Sequence, residues 1–262
     1  MGLLMGGGGH FVQRNDVAVV ATPEATETWR PVSHIDVIEA VENVLKARKW
    51  EIQEEQFGLA RGGDRLFGVM QITSSRNPEW SRCIGIRNSH DKSFSVGLSA
   101  GINVMVCSNL AFGGTTVIRR KHTSRIDLEM LVNRAVDSLV AEFDVLENSC
   151  NRLKYLDAGS PDEVRALVVR AAEMGVINSS DIVPVFQEFR SPRHEEFAAN
   201  TRWSLLNAFT EIVKKYTPMR VERTYQVLNQ AFGLDGGVPE LWPDDTPDGG
   251  HIEDIIAENG EL

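Results

Sequence analysis

The sequence predicts an α+β protein built on one antiparallel sheet, and three patterns along the chain support this class. Residues 34–49 repeat apolar side chains at a spacing of three or four, which is typical of an amphipathic helix. Residues 50–107 alternate apolar and polar side chains between turn signals, which is typical of half-buried strands. Helical spacing returns from residue 126. The predicted fold is an N-terminal helix, an antiparallel sheet of four to five strands, a long helix, then a helical C-terminal half and an acidic disordered tail.

The first helix follows a segment without a regular pattern. Residues 1–32 contain the glycine run Gly6–Gly9. We interpret them as a flexible leader in which Val17–Val20 could add one edge strand. Ser33 is placed to cap the helix that begins after it. The predicted buried stripe of that helix consists of Ile35, Ile38, Val41 and Leu45.

The sheet is predicted from a hairpin and the strands that follow it. Trp50–Ala60 and Leu66–Ile72 flank a pair of glycines, and glycine takes the positive φ that a tight turn needs. A further strand is expected at Ser81–Arg87. The alternation over Phe94–Cys107 predicts one or two more.

The C-terminal half is predicted to be helical. A long helix is expected over Ile126–Leu153. Ser160 and Pro161 mark the start of the next helix, since serine is a preferred N-cap and proline fits the first helical position, and Gly175 can end it. Further helices are expected at 181–189, 195–216 and 219–232. The predicted domains are an α+β sheet domain over 33–158, a helical region packed on it over 159–234, and an acidic tail over 235–262.

The net charge of −10 is concentrated in the tail. Residues 235–262 hold nine of the 37 acidic residues and no Lys or Arg, so the remaining 27 basic and 28 acidic residues nearly cancel. Residues 76–126 hold eight basic and two acidic residues. A local excess of positive charge permits a nucleic-acid-binding face in a protein that is acidic overall. The alternative is a solvated face beside an acidic linker.

The number of cysteines and the lengths of the apolar runs indicate the cellular compartment in which the protein is expected. Cys83, Cys107 and Cys150 form no Cys-x-x-Cys pair, and a sparse, odd set of cysteines is typical of a reducing environment. The N-terminal residues lack the basic start and apolar stretch of a signal peptide. The apolar runs are also too short for a membrane helix. We therefore expect a cytoplasmic protein with no membrane partner and no cofactor.

Three motifs carry a resemblance to a known family. They are Ile84–Ser93 (IGIRNSHDKS), Val104–Leu110 (VMVCSNL) and Asn200–Glu211 (NTRWSLLNAFTE). Their order and spacing resemble the family of unknown function that is numbered 932 in the domain-of-unknown-function series, over roughly residues 34–233. The resemblance implies a phage or plasmid setting and implies no known reaction.

The sequence favours a protein that binds single-stranded nucleic acid. Basic residues on the sheet turns and the following loop can neutralise phosphates, and nearby aromatic residues can stack on bases. The predicted phosphate contacts are Arg87, Lys92, Arg119, Arg120, Lys121 and Arg125, with Trp80 and Phe94 as stacking candidates. The order of helix, hairpins and long helix is also similar to the core of phage single-strand annealing proteins. This hypothesis assigns an accessory role in replication or recombination.

A catalytic alternative depends on Cys107, His90 and Asn109. A histidine can lower the pKa of a cysteine thiol while an asparagine orients the imidazole, so these three residues could form a hydrolase site. The structural alternatives are that Cys107 is a small buried hydrophobe and that His90 and Asp91 serve a turn. The sequence favours these structural roles over an enzyme. His90, Asp91 and His122 match no zinc-binding spacing, so no metal site is predicted.

A third hypothesis is an interaction protein of a phage or plasmid that acts on a host factor. The acidic segment 235–262 suits such a contact, since it could recruit a partner or compete for a basic groove. Ring or filament assembly would suit the annealing interpretation, so a homo-oligomer is a further candidate state. The sequence leaves these alternatives open.

Overall fold

The computed structural model describes residues 9–72, 80–104, 109–112 and 128–245. The chain divides into two compact units, which we call the sheet unit and the helical unit. The sheet unit is Met1–Phe143 with Lys215–Met219, and the helical unit is Asp144–Lys214 with Arg220–Leu262. The predicted α+β class is confirmed.

The sheet unit contains a six-stranded sheet in which each strand pairs with its neighbours along the chain. Every described pairing is antiparallel. The strands, in order across the sheet, are β1 (His10–Val12), β2 (Ile52–Ala60), β3 (Arg65–Ile72), β4 (Trp80–Ser89), β5 (Gly97–Val104) and β6 (Asn109–Phe112). Strands β2 to β5 correspond to the predicted antiparallel sheet, whereas β6 lies beyond Cys107, where the last predicted strand ends. Consecutive pairing places the turns β2–β3 and β4–β5 at the same end of the sheet.

The N-terminal residues contribute an edge strand and a short helix. Strand β1 pairs with the end of β2, and helix α1 spans Arg14–Ala18. Val17 is buried in the core, and Arg14 forms ion pairs with Glu42 and Glu55. The predicted edge strand at Val17–Val20 is therefore wrong, because this segment buries a single valine through one helical turn.

Two helices cover one face of the sheet. Helix α2 spans His34–Ala47, and the first part of α3 (Leu128–Tyr155) also belongs to this unit. Their apolar side chains share a core with alternate residues of β2 to β5. Gly68 is required in this layer, because a Cβ there would lie 2.8 Å from Cδ1 of Phe57.

The helical unit contains the remainder of α3 and four further helices. They are α4 (Pro161–Glu173), α5 (Ile182–Arg190), α6 (Arg202–Val213) and α7 (Pro218–Phe232), of which α7 enters the helical unit at Arg220. The predicted start of α4 is confirmed: the Ser160 side chain accepts from the Glu163 N–H, and the Ser160 N–H donates to Glu163 Oε2 at 2.7 Å. The helix predicted for 195–216 begins later, because Thr201 caps α6 by accepting a hydrogen bond from the Ser204 N–H.

The beginning of the acidic tail is attached to the helical unit. The backbone N–H of Glu240 donates to Gln230 O at 2.9 Å, and that of Leu241 donates to Ala231 O at 3.1 Å. Leu241 is also buried. Residues 235–245 are thus part of the folded helical unit, and residues 246–262 lie outside the described residues.

Candidate nucleic-acid-binding surface

Two turns lie side by side at one end of the sheet. One connects β2 to β3, and the other connects β4 to β5. Arg65 pairs with Ser89 across β3 and β4, and the His90 N–H donates to Asp64 O at 2.7 Å. We call the side chains of Trp29, Arg61, Arg65, Arg87, Lys92 and Phe94 the turn surface.

A cation stands at the tip of each turn in an unusual backbone conformation. Arg61 has a φ of 56° and Lys92 a φ of 64°, a left-handed region that side chains other than glycine rarely occupy. Both residues are exposed. The Lys92 Nζ lies 4.7 Å from the centroid of the half-buried Trp29 ring. Non-glycine residues held in this conformation concentrate at functional sites.

A second cation rests on an aromatic ring at the end of β4. The Arg87 guanidinium lies 5.4 Å from the centroid of the Phe94 ring. Phe94 in turn packs at 5.4 Å against Phe67, which pairs with Arg87 across β3 and β4. Contact with a ring limits the orientations that a guanidinium can take. The contact with Phe94 therefore restricts the conformations of the Arg87 side chain.

The remaining charges on these turns form a defined ion pair. Arg65 Nε donates to Asp91 Oδ2 at 2.6 Å, and Asp91 Oδ1 accepts from the Ser93 N–H at 3.0 Å. Partial burial raises the pKa of Asp91, but the hydrogen bonds from Ser93 and the contact with Arg65 outweigh it and hold the pKa below its usual value. Arg61, Arg65, Arg87 and Lys92 therefore outnumber Asp64 and Asp91, and the two turns carry a net charge of +2.

A stacked pair of histidines supports the turn surface from inside. The rings of His34 and His90 lie 3.8 Å apart and are nearly parallel, with an interplanar angle of 3°. Both histidines are buried. His34 Nε2 lies 2.9 Å from Gly63 O, and His90 Nε2 lies 2.9 Å from Val32 O. A carbonyl oxygen can only accept, so each Nε2 carries the proton.

Asn88 links this pair to the segment that carries Trp29. Its Nδ2 donates to Val32 O at 2.8 Å and to His34 Nδ1 at 2.9 Å. Because Nδ1 accepts and Nε2 donates, the His34 imidazole is neutral. Nδ1 of His90 has no hydrogen-bond partner within the described residues. Val32 is thus held by two side chains from β4 and the turn that follows it.

The structure brings together only part of the sequence-predicted site. Arg87 contacts Phe94, and Lys92 lies in the same turn as Phe94 but contacts Trp29. Trp80 and Asn109 begin β4 and β6, but their side chains lie outside the description. Also outside the described residues are Cys107, Arg119, Arg120, Lys121, His122 and Arg125.

His90, Cys83 and Cys150 lie in buried, structural environments. His90 is buried against His34, and Asp91 shapes the turn, which agrees with the structural alternative for both residues. Cys83 and Cys150 are fully buried, and burial raises the pKa of each thiol far above its usual value. A thiol in such a site is a poor nucleophile. The structure describes no group of three or more His, Cys, Asp or Glu side chains that could share a metal ion.

Sequence reasoning missed Trp29, Arg61 and Arg65 as members of this surface. The glycine pair predicts the turn that holds Arg61, but Arg61 and Arg65 lie outside the basic stretch at residues 76–126. Trp29 lies in a segment without periodicity, so no local signal placed it near Lys92.

A comparison with models of known protein families shows the family of this chain. The family model described as a domain of unknown function, DUF932, matches residues 24–232. The chain belongs to this family. The match covers most of the chain, including every member of the turn surface. Searches of the curated proteins and of the solved structures found no match. Among the described residues of this DUF932 chain, no helix has the length and apolar character needed to cross a membrane.

Proposed function

We propose that this DUF932 protein binds single-stranded nucleic acid across the turn surface. The observation that carries the proposal is the pairing of cations with aromatic rings at one end of the sheet, with Lys92 against Trp29 and Arg87 against Phe94. Phosphates are neutralised by exposed Lys and Arg side chains. Unpaired bases add stacking on aromatic faces or on guanidinium planes.

Different residues of the turn surface make the phosphate contacts and the base contacts. Arg61 and Lys92 stand at exposed turn tips and serve as phosphate contacts. Arg87 lies closer to the sheet, where its guanidinium can meet a phosphate or a base edge. Phe94 already packs against Arg87 and Phe67, so a base stacks on the exposed part of this cluster or on Trp29. A duplex hides its base faces, and this combination therefore favours single strands.

We extend the proposed surface to the basic residues predicted from sequence beyond β6, namely Arg119, Arg120, Lys121 and Arg125, and to Trp80. We also propose that the protein is an accessory factor of a phage or plasmid in replication or recombination. The resemblance of the three sequence motifs supports this setting, and a strand-binding surface suits either process.

Fluorescence anisotropy with a labelled oligothymidine tests the proposal through charge reversal. The double variant Arg61→Glu, Lys92→Glu removes two phosphate contacts. It should weaken binding and lower the slope of log K against log salt by about 1.4, since each single-strand contact contributes about 0.7. Unlabelled duplex should compete poorly with the single strand.

The matched control is Lys49→Glu, Arg134→Glu, which makes the same change in net charge. Lys49 is exposed and also has a left-handed backbone, with a φ of 58°. It follows the far end of α2, roughly 20 Å from His34 at 1.5 Å per helical residue. The control should retain the affinity and salt slope of the unmodified protein. Equal losses in both variants would reduce the effect to net charge and contradict the assigned surface.

A further inference from the structure

The helical unit contains a cavity that the proposed nucleic-acid surface does not use. Its volume is about 450 Å³, within the range of roughly 300–1,000 Å³ that small-molecule sites occupy. It lies between the loop that follows α3, one side of α4, the start of α6 and the attached beginning of the tail. Its lining includes Asp157, Gly159, Leu167, Arg170, Arg202 and Trp242.

The third sequence motif builds one wall of this cavity. Asn200 Nδ2 donates to Asp157 Oδ2 and to Gly159 O, each at 3.0 Å. The Arg202 N–H donates to Leu156 O at 2.9 Å. Thr201 forms a β-bridge with Asp157. These bonds fix the loop after α3 against the start of α6, and they place the Arg202 side chain in the wall.

Arg202 is a buried receptor for a carboxylate. The residue is 9% exposed, and its guanidinium lies 4.1 Å from the centroid of the Trp242 ring. Nη1 forms an ion pair with Asp245 Oδ2, and Nη2 lies 3.4 Å from Asp245 Oδ1. Nε donates to Asp157 O at 3.3 Å. Arginine matches planar anions through such paired contacts, so the carboxylate of Asp245 occupies a site shaped for an acidic group.

The lining of the cavity contains a second cation, Arg170, and two acids, Asp157 and Glu163. Arg170 is exposed, and among the described residues its guanidinium forms no hydrogen bond or ion pair. The two lining acids are engaged by backbone N–H groups. Asp157 Oδ1 accepts from Gly159 at 2.7 Å, and Glu163 Oε2 accepts from Ser160 at 2.7 Å. The hydrogen bonds from Ser160 also hold the pKa of Glu163 below its usual value.

We propose that this cavity binds a small organic dianion. One acidic group of the ligand replaces the Asp245 carboxylate on Arg202, and the other reaches Arg170. The carbon skeleton between them lies against Leu167 and Trp242. Asp245 acts as an internal competitor that occupies the receptor when the ligand is absent. The proposal is independent of nucleic-acid binding, because it uses residues of the helical unit alone.

Isothermal titration calorimetry on the full chain tests this site with two probes, glutarate and adenosine monophosphate. The first presents two carboxylates and the second a phosphate, so the pair distinguishes which acidic group the receptor prefers. Asp245→Asn keeps the shape of the side chain but removes its charge. This variant should bind the preferred probe roughly tenfold more tightly than the unmodified protein, a difference of about 1.4 kcal/mol.

Two further variants complete the test. Arg170→Gln in the Asp245→Asn background should lose roughly tenfold in affinity. Arg165→Gln in the same background is the control, because Arg165 is exposed on the same helix but does not line the cavity. Circular dichroism verifies that each variant is folded. The proposal is overturned if folded Asp245→Asn binds neither probe, or if Asp245→Asn gains no affinity over the unmodified protein.

Discussion

An arginine packs on an aromatic ring in each unit, yet the two pairs differ in what surrounds the charge. Arg87 lies 5.4 Å from the Phe94 ring beside exposed turns whose net charge is positive. Arg202 lies 4.1 Å from the Trp242 ring, is almost completely buried and is neutralised by Asp245. Arg87 is thus partly buried beside two positively charged turns, whereas Arg202 is buried in the wall of a cavity beside its counter-ion.

The difference follows from the cost of moving a charge out of water. Arg87 is only partly buried and keeps part of its hydration, so its charge acts on phosphates over a distance set by ionic strength. A buried guanidinium requires a counter-charge, because an unpaired buried ion is strongly disfavoured. We therefore assign the first pair to the proposed nucleic-acid-binding surface and the second to the proposed small-molecule site.

Removing each arginine should separate the two environments most clearly. Arg202→Leu leaves the Asp245 carboxylate and the Asp157 carbonyl without their donor, and we expect a loss of about 2–4 kcal/mol in the free energy of unfolding. Arg87→Leu should cost about 1 kcal/mol or less, the scale of a partly exposed cation–aromatic contact. Urea denaturation of the full chain, followed by circular dichroism, measures both. Equal losses would contradict the distinction between the two sites.

The support beneath the turn surface gives the next largest effect. Asn88→Ala removes the donor to Val32 O and leaves His34 Nδ1 without its partner, so we expect a loss of about 2 kcal/mol. It should also weaken oligothymidine binding, because the segment carrying Trp29 is held less firmly. Asn43→Ala, at an exposed position of α2, serves as the control and should change neither quantity. If the Asn88→Ala protein is destabilised but binds oligothymidine with unaltered affinity, the histidine pair does not support binding at the turn surface.

Glu142 in the sheet unit contrasts with Asp245, because its Oε2 is buried without a hydrogen-bond partner among the described residues. Burial raises its pKa to about 7. The folded state therefore keeps a proton that the unfolded chain releases at lower pH. This carboxyl should make the free energy of unfolding fall as pH rises from about 4.5 to about 7. After allowance for solvent screening, we expect an effect on the order of 1 kcal/mol.

Glu142→Gln provides the measurement for this effect. The amide does not ionise in this range, so the difference in stability between variant and unmodified protein should grow in favour of the variant up to about pH 7 and then level off. Denaturation series at several pH values would show it. A difference that is constant with pH would mean that Glu142 titrates alike in the folded and unfolded states.

The smallest expected effect is that of a single turn-tip cation. Lys92→Gln loses one exposed contact with Trp29, and stability should change by about 0.5–1 kcal/mol or less. The salt slope of oligothymidine binding should nevertheless fall by about 0.7, the contribution of one phosphate contact. Lys49→Gln is the control for both quantities. A slope that matches the unmodified protein would remove Lys92 from the binding surface.

The sequence predicted those parts of the fold that depend on neighbouring residues. The stripe of α2, the hairpin around Gly62 and Gly63 and the capped start at Ser160 follow from local periodicity and turn chemistry. The edge strand at Val17–Val20 failed because a run of apolar residues does not by itself distinguish a strand from one helical turn. The predicted helix start at residue 195 is wrong, because Thr201 caps α6 and the helix begins at Arg202.

The candidate sites depend on contacts between residues far apart in the chain. Val32 accepts from His90 across 58 positions, and Arg202 meets Asp245 across 43. Periodicity carries no information over such distances, so the sequence indicated Lys92 and Phe94 but neither Trp29 nor the carboxylate receptor. The sequence likewise predicts a single disordered acidic tail over residues 235–262, and this is wrong for residues 235–245, which pack on the helical unit.

Photocrosslinking tests the central claim most directly, since it reports where a bound strand lies. A bromouracil-substituted single strand is irradiated with the full-length protein, and the crosslinked peptides are identified by mass spectrometry. We predict crosslinks in the peptides that contain Trp29 and Phe94, and their loss in Arg61→Glu, Lys92→Glu. Crosslinks confined to the helical unit, or none at low salt, would contradict a nucleic-acid-binding role for the turn surface.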